Sequence, residues 1–135
     1  MRLKSIMDDL LDTEESSNII LGGDMNLIFD PALDRKGGNF QESTLYKDTI
    51  NIMDDIINTF NLVDIWRKLN PQSKRYTWRR KNPSIHSRLD MWLISEYLED
   101  YVKETSIKPS IRSDHSSIYL YLSSFSSTKG RVIGN

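Results

Sequence analysis

Residues 76–95 read Tyr-Thr-Trp-Arg-Arg-Lys-Asn-Pro-Ser-Ile-His-Ser-Arg-Leu-Asp-Met-Trp-Leu-Ile-Ser. Tyr76, Thr77 and Trp78 all favour extended backbone, so Arg75–Arg79 is expected to be a strand. Arg80–Ser87 contains Asn82-Pro83-Ser84, residues that favour turns, and reads as a hairpin loop. Leu89, Met91 and Leu93 then alternate with Asp90, Trp92 and Ile94, the period of two that marks a returning strand. Downstream, Glu96–Tyr101 reads as a short helix, and Thr105–Ile111 and Ser116–Leu122 as two further strands. In the last of these, Ile118, Leu120 and Leu122 share one face and Tyr119 and Tyr121 the other.

Upstream the period changes. Leu3, Ile6, Met7, Leu10 and Leu11 follow helical spacing, which predicts an amphipathic helix over residues 2–13. Asn18–Leu21 reads as a short buried strand ending at Gly22-Gly23. Asp30–Phe40 carries Pro31, Gly37 and Gly38 and reads as a loop. Ser43 is placed to cap a helix running through Phe60, with an apolar stripe of Leu45, Thr49, Met53, Ile56, Ile57 and Phe60. Leu62–Leu69 reads as a second short helix, stopped by Asn70-Pro71. The sum is an α+β chain with helices flanking a sheet. Residues 1–122 form the expected domain, and the Ser-rich stretch 123–135 reads as a flexible tail.

The chain has 135 residues, 38% hydrophobic and 27% charged, which fits one soluble globular domain with a true core. No apolar run approaches membrane-spanning length, and the N-terminus lacks the pattern of a secretory signal. With no cysteine there is no disulfide and no thiolate metal site, which suits a reducing compartment. The expected location is nuclear or cytoplasmic, neither secreted nor membrane-bound. The net charge of −1 conceals a division. Residues 1–66 hold five Lys/Arg against thirteen Asp/Glu, whereas residues 67–135 hold thirteen against six. From Arg67 to Arg88 there are eight cations and no carboxylate. Such a block reads either as a solvated basic face or as a surface for a polyanion.

Three short constellations carry groups capable of chemistry. In Gly22-Gly23-Asp24-Met25-Asn26, extended backbone would aim Asp24 and Asn26 the same way, the first toward a water and the second toward a phosphate oxygen. The same residues also suit a turn in which Asp and Asn bond local backbone. In Ser113-Asp114-His115-Ser116 the carboxylate could bind a metal and the imidazole could face an anion, although a solvated loop fits equally. In Ser87-Arg88-Leu89-Asp90 a carboxylate sits in an apolar strand and needs a partner. Arg88 and His115 are the two candidates.

Taken in order, Gly-Gly-Asp-Met-Asn at 22–26, Tyr-Thr-Trp-Arg at 76–79, Ser-Arg-Leu-Asp-Met-Trp-Leu-Ile-Ser at 87–95 and Ser-Asp-His-Ser-Ser-Ile at 113–118 resemble the motif set of the endonuclease/exonuclease/phosphatase family. The resemblance is narrower to the apurinic-type endonuclease domain of LINE-type retrotransposons. It runs from about Asn18 to about Leu122 and covers the C-terminal half of the family domain. It implies a four-layer sandwich of two packed sheets with helices outside, and Mg²⁺-dependent hydrolysis of phosphoesters. By residue match, Asp24 would orient or activate the attacking water and Asn26 would contact the scissile phosphate. Asp114 would help hold the metal. His115 would stabilise charge on the phosphate, and Asp90 would position His115. Arg79, Arg80, Lys81 and Arg88 would contact DNA phosphates around the hairpin. The family's first half supplies an Asn, a metal-binding Glu, and a Tyr and His for which residues before Asn18 offer no match. The metal shell is therefore expected to be incomplete and the chain inactive alone. An apolar sheet face would be left exposed, open to the missing half or to self-association. The alternatives are a non-catalytic nucleic-acid-binding remnant and a phosphatase of the same family.

Overall fold

A computed structural model describes residues 18–123 and the backbone of residues 131–134. The helix expected over residues 2–13 lies outside the described residues. The central ladder joins β1 (Ile19–Asp24) to β6 (Asp90–Ser95), antiparallel. Its register sets Ile20 opposite Ile94, Leu21 opposite Leu93, Gly22 opposite Trp92 and Asp24 opposite Asp90. Gly22 meets a packing demand here, because a Cβ would lie 2.2 Å from the Trp92 ring.

Two further strands complete this sheet. β3 (Leu62–Asp64) pairs antiparallel with the outer side of β6, and β9 (Arg131–Gly134) pairs parallel with β1. Both depart from the sequence reading. Leu62–Asp64 was expected to open a helix. It is instead recruited to the sheet edge, where Val63 faces Ile94, and a non-local pairing outweighs local propensity. The helix α3 (Ile65–Leu69) starts only after Asp64, whose carboxylate accepts from the Arg67 amide. Residues 131–134 lie in the sheet rather than in a tail, since Val132 and Ile133 give β1 a neighbour on its other edge.

Each face of this sheet is covered. On one face lies α2 (Thr44–Thr59), capped by Ser43, whose Oγ accepts from the Tyr46 amide at 3.1 Å. Met53 and Ile56 are fully buried against Ile19, Leu21, Leu62, Met91 and Leu93. The buried stripe includes Tyr46, Ile50 and Ile57, whereas Leu45, expected in it, is 76% exposed. A helix face that begins one residue later meets the sheet. On the other face, Ile20, Val63, Trp92 and Ile94 pack with Ile65, Leu98, Val102 and Leu120. The last two belong to a second sheet made by β7 (Val102–Lys108) and β8 (Ser117–Leu122). The 3₁₀ helix Glu96–Tyr101 links β6 to β7. The architecture is thus helix, sheet, sheet, an α+β arrangement in which two sheets pack face to face. Tyr119 and Tyr121 stack on the outer side of β8 and are exposed. No helix among the described residues is long and apolar enough to cross a membrane.

A small sheet of order β2-β5-β4 stands at one end of the ladder. Its strands are β2 (Arg35–Lys36), β4 (Trp78–Arg80) and β5 (Ile85–Ser87). The stretch expected as one loop, Asp30–Phe40, supplies a short helix, α1 (Pro31–Asp34), and then β2. The hairpin is rooted by a buried ionic network. Arg88 is 1% exposed and donates to both Asp34 oxygens (2.8 and 3.3 Å) and to Asp64. Arg67 joins on Asp34, and both guanidiniums lie near the Trp66 ring, at 5.0 Å for Arg67 and 5.2 Å for Arg88. Arg88 was expected on a DNA phosphate. It is instead consumed inside the protein, because two carboxylates withdrawn from water require a planar cation between them. Replacing Arg88 by Ala leaves buried Asp34 charge poorly compensated. We expect a loss of about 3–5 kcal/mol in chemical denaturation, against under about 0.5 kcal/mol for exposed Arg80→Ala.

Candidate active site

The register that aligns two hydrophobic strands also sets Asp24 directly opposite Asp90 at the end of the ladder. Like charges so placed repel. His115 relieves the repulsion. Its Nδ1 lies 2.8 Å from Asp90 Oδ2, and its Nε2 lies 3.9 Å from Asp24 Oδ2. Of the two partners the sequence left open for Asp90, the geometry selects His115. Partial burial pulls the His115 pKa down, but the Asp90 hydrogen bond and the charges of Asp90, Asp24 and Asp114 outweigh it and raise it above its ordinary 6.5. The imidazolium is favoured by its surroundings.

Backbone geometry near Asp24 differs from the extended path that would aim Asp24 and Asn26 alike. Asn26 has a φ of 53°, and its amide donates to Asp24 Oδ1 at 2.8 Å. The local turn is therefore real. It also leaves Asn26 exposed at the rim of the same site. Met25 N–H donates to Leu89 C=O at 2.9 Å, which keeps the turn against β6.

Thr77 ties these pieces together, and nothing in the sequence alone singled it out. Its side chain is fully buried, and its Oγ1 accepts from the Leu89 and Asp90 amides at 2.9 and 3.0 Å. Its carbonyl accepts from Ser116 N–H at 2.6 Å. One residue thus fixes both the strand that carries Asp90 and the segment that carries His115. The signal was the Tyr-Thr-Trp triplet, in which Thr scored only as a strand former.

Asp24, Asn26 and His115 line a cavity of about 340 Å³, together with Arg35, Tyr46 and Trp78. These last three also escaped the sequence reading. Tyr46 bonds the Ile28 backbone with its hydroxyl (2.6 Å from N, 3.3 Å from O), and burial raises its pKa. The Trp78 indole donates to Asp114 Oδ2 at 3.2 Å. Asp114 therefore stands beside the central group rather than in it.

Asp24, Asp90 and His115 each present a ligand atom within 4.8 Å of the others, a spacing that a metal ion could bridge. The bonds they already make suit Mg²⁺ poorly. This ion demands near-octahedral oxygen ligation, and here a nitrogen base favoured in its cationic form occupies the space between the carboxylates. Asp90 Oδ2 faces His115, Asp24 Oδ1 faces the Asn26 amide, and Asp114 faces Trp78. The described residues do not by themselves make the Mg²⁺ site that the family resemblance implies. They make an imidazole, its charged form favoured by the neighbouring carboxylates, at the wall of an open cavity, an arrangement suited to receiving an anion.

The cations of the block from Arg67 to Arg88 divide cleanly. Arg67, Lys68 and Arg88 form ion pairs with Asp34, Glu99 and Asp64. Among the described residues, Lys74, Arg75, Arg79, Arg80 and Lys81 form none. Arg79, Arg80 and Lys81 are exposed on the hairpin beside the cavity.

With this geometry established, comparison with known proteins defines the class. The chain has the fold of the AP endonucleases and related exonucleases. It matches the AP endonuclease LMAP of Leishmania major with a TM-score of 0.67 and 23% identity, over 78% of this chain and 35% of that one. It matches the 3'-5' exonuclease NExo of Neisseria meningitidis with a TM-score of 0.65 and 17% identity, over 90% and 50%. A Neisseria NExo structure described as a 3' phosphatase bound to product DNA hairpin gives a TM-score of 0.61 at 18% identity. In sequence the chain is 30% identical over 117 residues to the Xenopus laevis "Transposon TX1 uncharacterized 149 kDa protein". That match covers 85% of this chain and 8% of the transposon protein, so the chain spans a small part of its relative and half or less of the solved structures. No family model matches the sequence.

Two outcomes follow from the site. Asp90→Asn removes the main partner of the imidazolium, so the His115 pKa should fall in an NMR pH titration, with His86 as the in-chain control. Because the folded-state value is raised, the stabilisation is present below the ordinary 6.5 and fades as pH rises through the raised value. Asp90→Asn should therefore destabilise the fold more on the acid side of that window than above it. Thr77→Val strands two half-buried amides and should cost about 1–3 kcal/mol in denaturation, largely restored by Thr77→Ser.

Proposed function

We infer that this chain is a portion of a DNA-cleaving phosphodiesterase of the LINE-retrotransposon type, with the described residues supplying the phosphate-handling side of the site. The observation that carries this reading is the Asp24–His115–Asp90 alignment at a cavity wall, beside exposed cations that form no ion pair among the described residues. A phosphodiester seated in the cavity gains negative charge as water attacks phosphorus. His115, charged and held through Nδ1, offers Nε2 to a non-bridging oxygen and stabilises that charge. Asp90 acts as a positioning residue. Asp24 orients the attacking water, and the Asn26 amide contacts the phosphate. Arg79, Arg80 and Lys81 hold flanking phosphates, which sets register without reading bases.

Mg²⁺ belongs to this proposal through the family resemblance, with Asp114 as its candidate ligand. When bound, the ion would supply Lewis-acid activation of the phosphate. Its remaining oxygen ligands would have to come from outside the described residues. That shortfall supports a second reading, a nucleic-acid-binding piece that cleaves nothing by itself. A phosphomonoesterase role is less well matched, because five cations with no ion pair among the described residues suit a polyanion better than a small ester.

Supercoiled plasmid tests both readings. The 135-residue chain should bind DNA with an affinity that falls steeply with salt, and Arg79→Ala, Arg80→Ala and Lys81→Ala should each weaken it. Plasmid nicking should stay at the level of Asp24→Ala and His115→Ala controls in Mg²⁺ as in EDTA. Mg²⁺-dependent nicking lost in both variants would instead mean that the chain completes a working site alone. Absence of any DNA binding would overturn the nucleic-acid reading.

A further inference from the structure

The two strands and the bridging His115 segment that wall the active-site cavity carry a second cavity on their reverse side. Trp78, Ser87 and His115 line the first. Their chain neighbours Arg79, His86 and Ser116 line the second, a cleft of about 210 Å³ completed by Lys74, Arg75 and Tyr76. Alternation along a strand explains the arrangement, since successive side chains leave opposite faces. Trp78 pairs with Ser87 and bridges to His115, while Arg79 pairs with His86, so one thin patch of sheet has two functional faces.

The chemistry of the reverse cleft is that of an anion site. Among the described residues its lining contains three full cations, an imidazole, a phenol and a hydroxyl, and no carboxylate. Lys74, Arg75 and Arg79 are exposed and enter no ion pair among the described residues. Arg75 is anchored, because one terminal guanidinium nitrogen donates to Ile107 C=O at 2.7 Å. The His86 ring is braced on two sides, with Nε2 3.3 Å from Ser84 Oγ and the Tyr76 ring 5.6 Å away. Fixed donors lose less freedom on binding than loose surface lysines.

We propose that this cleft is a second phosphate-binding site, which holds the backbone of the same nucleic acid whose scissile phosphate lies in the active-site cavity. The inference rests on the nucleic-acid reading above and adds a path to it. A single layer of sheet separates the two sites. A strand engaged at both must pass round the hairpin, which carries Arg80 and Lys81 along the way. The chemistry recognised is a phosphate group, and inorganic phosphate is the other possible source.

The test uses the whole 135-residue chain and the variant Lys74→Gln, whose side chain is exposed and outside the core. A ten-nucleotide single strand and, separately, inorganic phosphate are titrated while amide NMR signals and oligonucleotide affinity against salt are followed. Signals of Tyr76, His86 and Ser116 should move with the oligonucleotide. The slope of log affinity against log salt should shrink by about 0.7 in Lys74→Gln. Oligonucleotide binding with an unchanged slope and still signals at these residues would overturn the second site while leaving the DNA reading intact. Movement with inorganic phosphate alone would overturn the assignment to a nucleic acid. No response to either ligand would overturn both.

Discussion

Two aspartates set face to face at the end of an antiparallel ladder govern much of this molecule. Hydrophobic pairing of Leu21 with Leu93 and Ile20 with Ile94 fixes the register, and that register then brings Asp24 to Asp90. A one-residue slip would turn every core side chain outward, so the carboxylates cannot separate without unpicking the core. The chain resolves the conflict by bringing a third segment, Ser113–Ser116, to the same edge and placing an imidazole between the charges. The constraint that shapes the site is therefore a by-product of packing, and the favoured charge on His115 follows from it.

Polar ties rather than apolar ones deliver that third segment. Thr77 binds β6 through its hydroxyl and the His115 segment through its carbonyl. The Trp78 indole reaches Asp114 on the other side of the imidazole. Such bonds are directional, so they fix orientation in a way that burial of Met91 or Leu93 does not. The core sets which strands meet, and the threonine and tryptophan set how the imidazole stands.

Much of this was legible in the residues. The alternation over 89–94 marks the central strand, Ser43 marks the start of the helix that covers it, and the ordered motifs group Asp24, Asn26, Asp90 and His115. The misreadings share one cause. Leu62–Asp64 and residues 131–134 are strands only because a distant edge accepts them, and local pattern carries no trace of that edge. Arg88 looked like a DNA contact because its neighbours in sequence are basic, whereas Asp34 and Asp64 reach it from 54 and 24 residues away. Leu45 lies one position before the face that meets the sheet, an offset that helical spacing alone cannot fix.

The buried Arg88 network has a consequence for how this architecture can change over generations. Asp34, Asp64 and Arg88 come from three separate parts of the chain and meet where the hairpin leaves the body of the protein. Beyond that anchorage, residues 81–84 are exposed, and Ser84 Oγ meets only the His86 ring next to it on the hairpin. The root is buried and ionic, whereas the tip faces solvent. Mutations can therefore accumulate at the tip, altering length, charge or shape, without disturbing the geometry a few residues away. Such a division lets the surface around the tip vary while the geometry of the site is inherited.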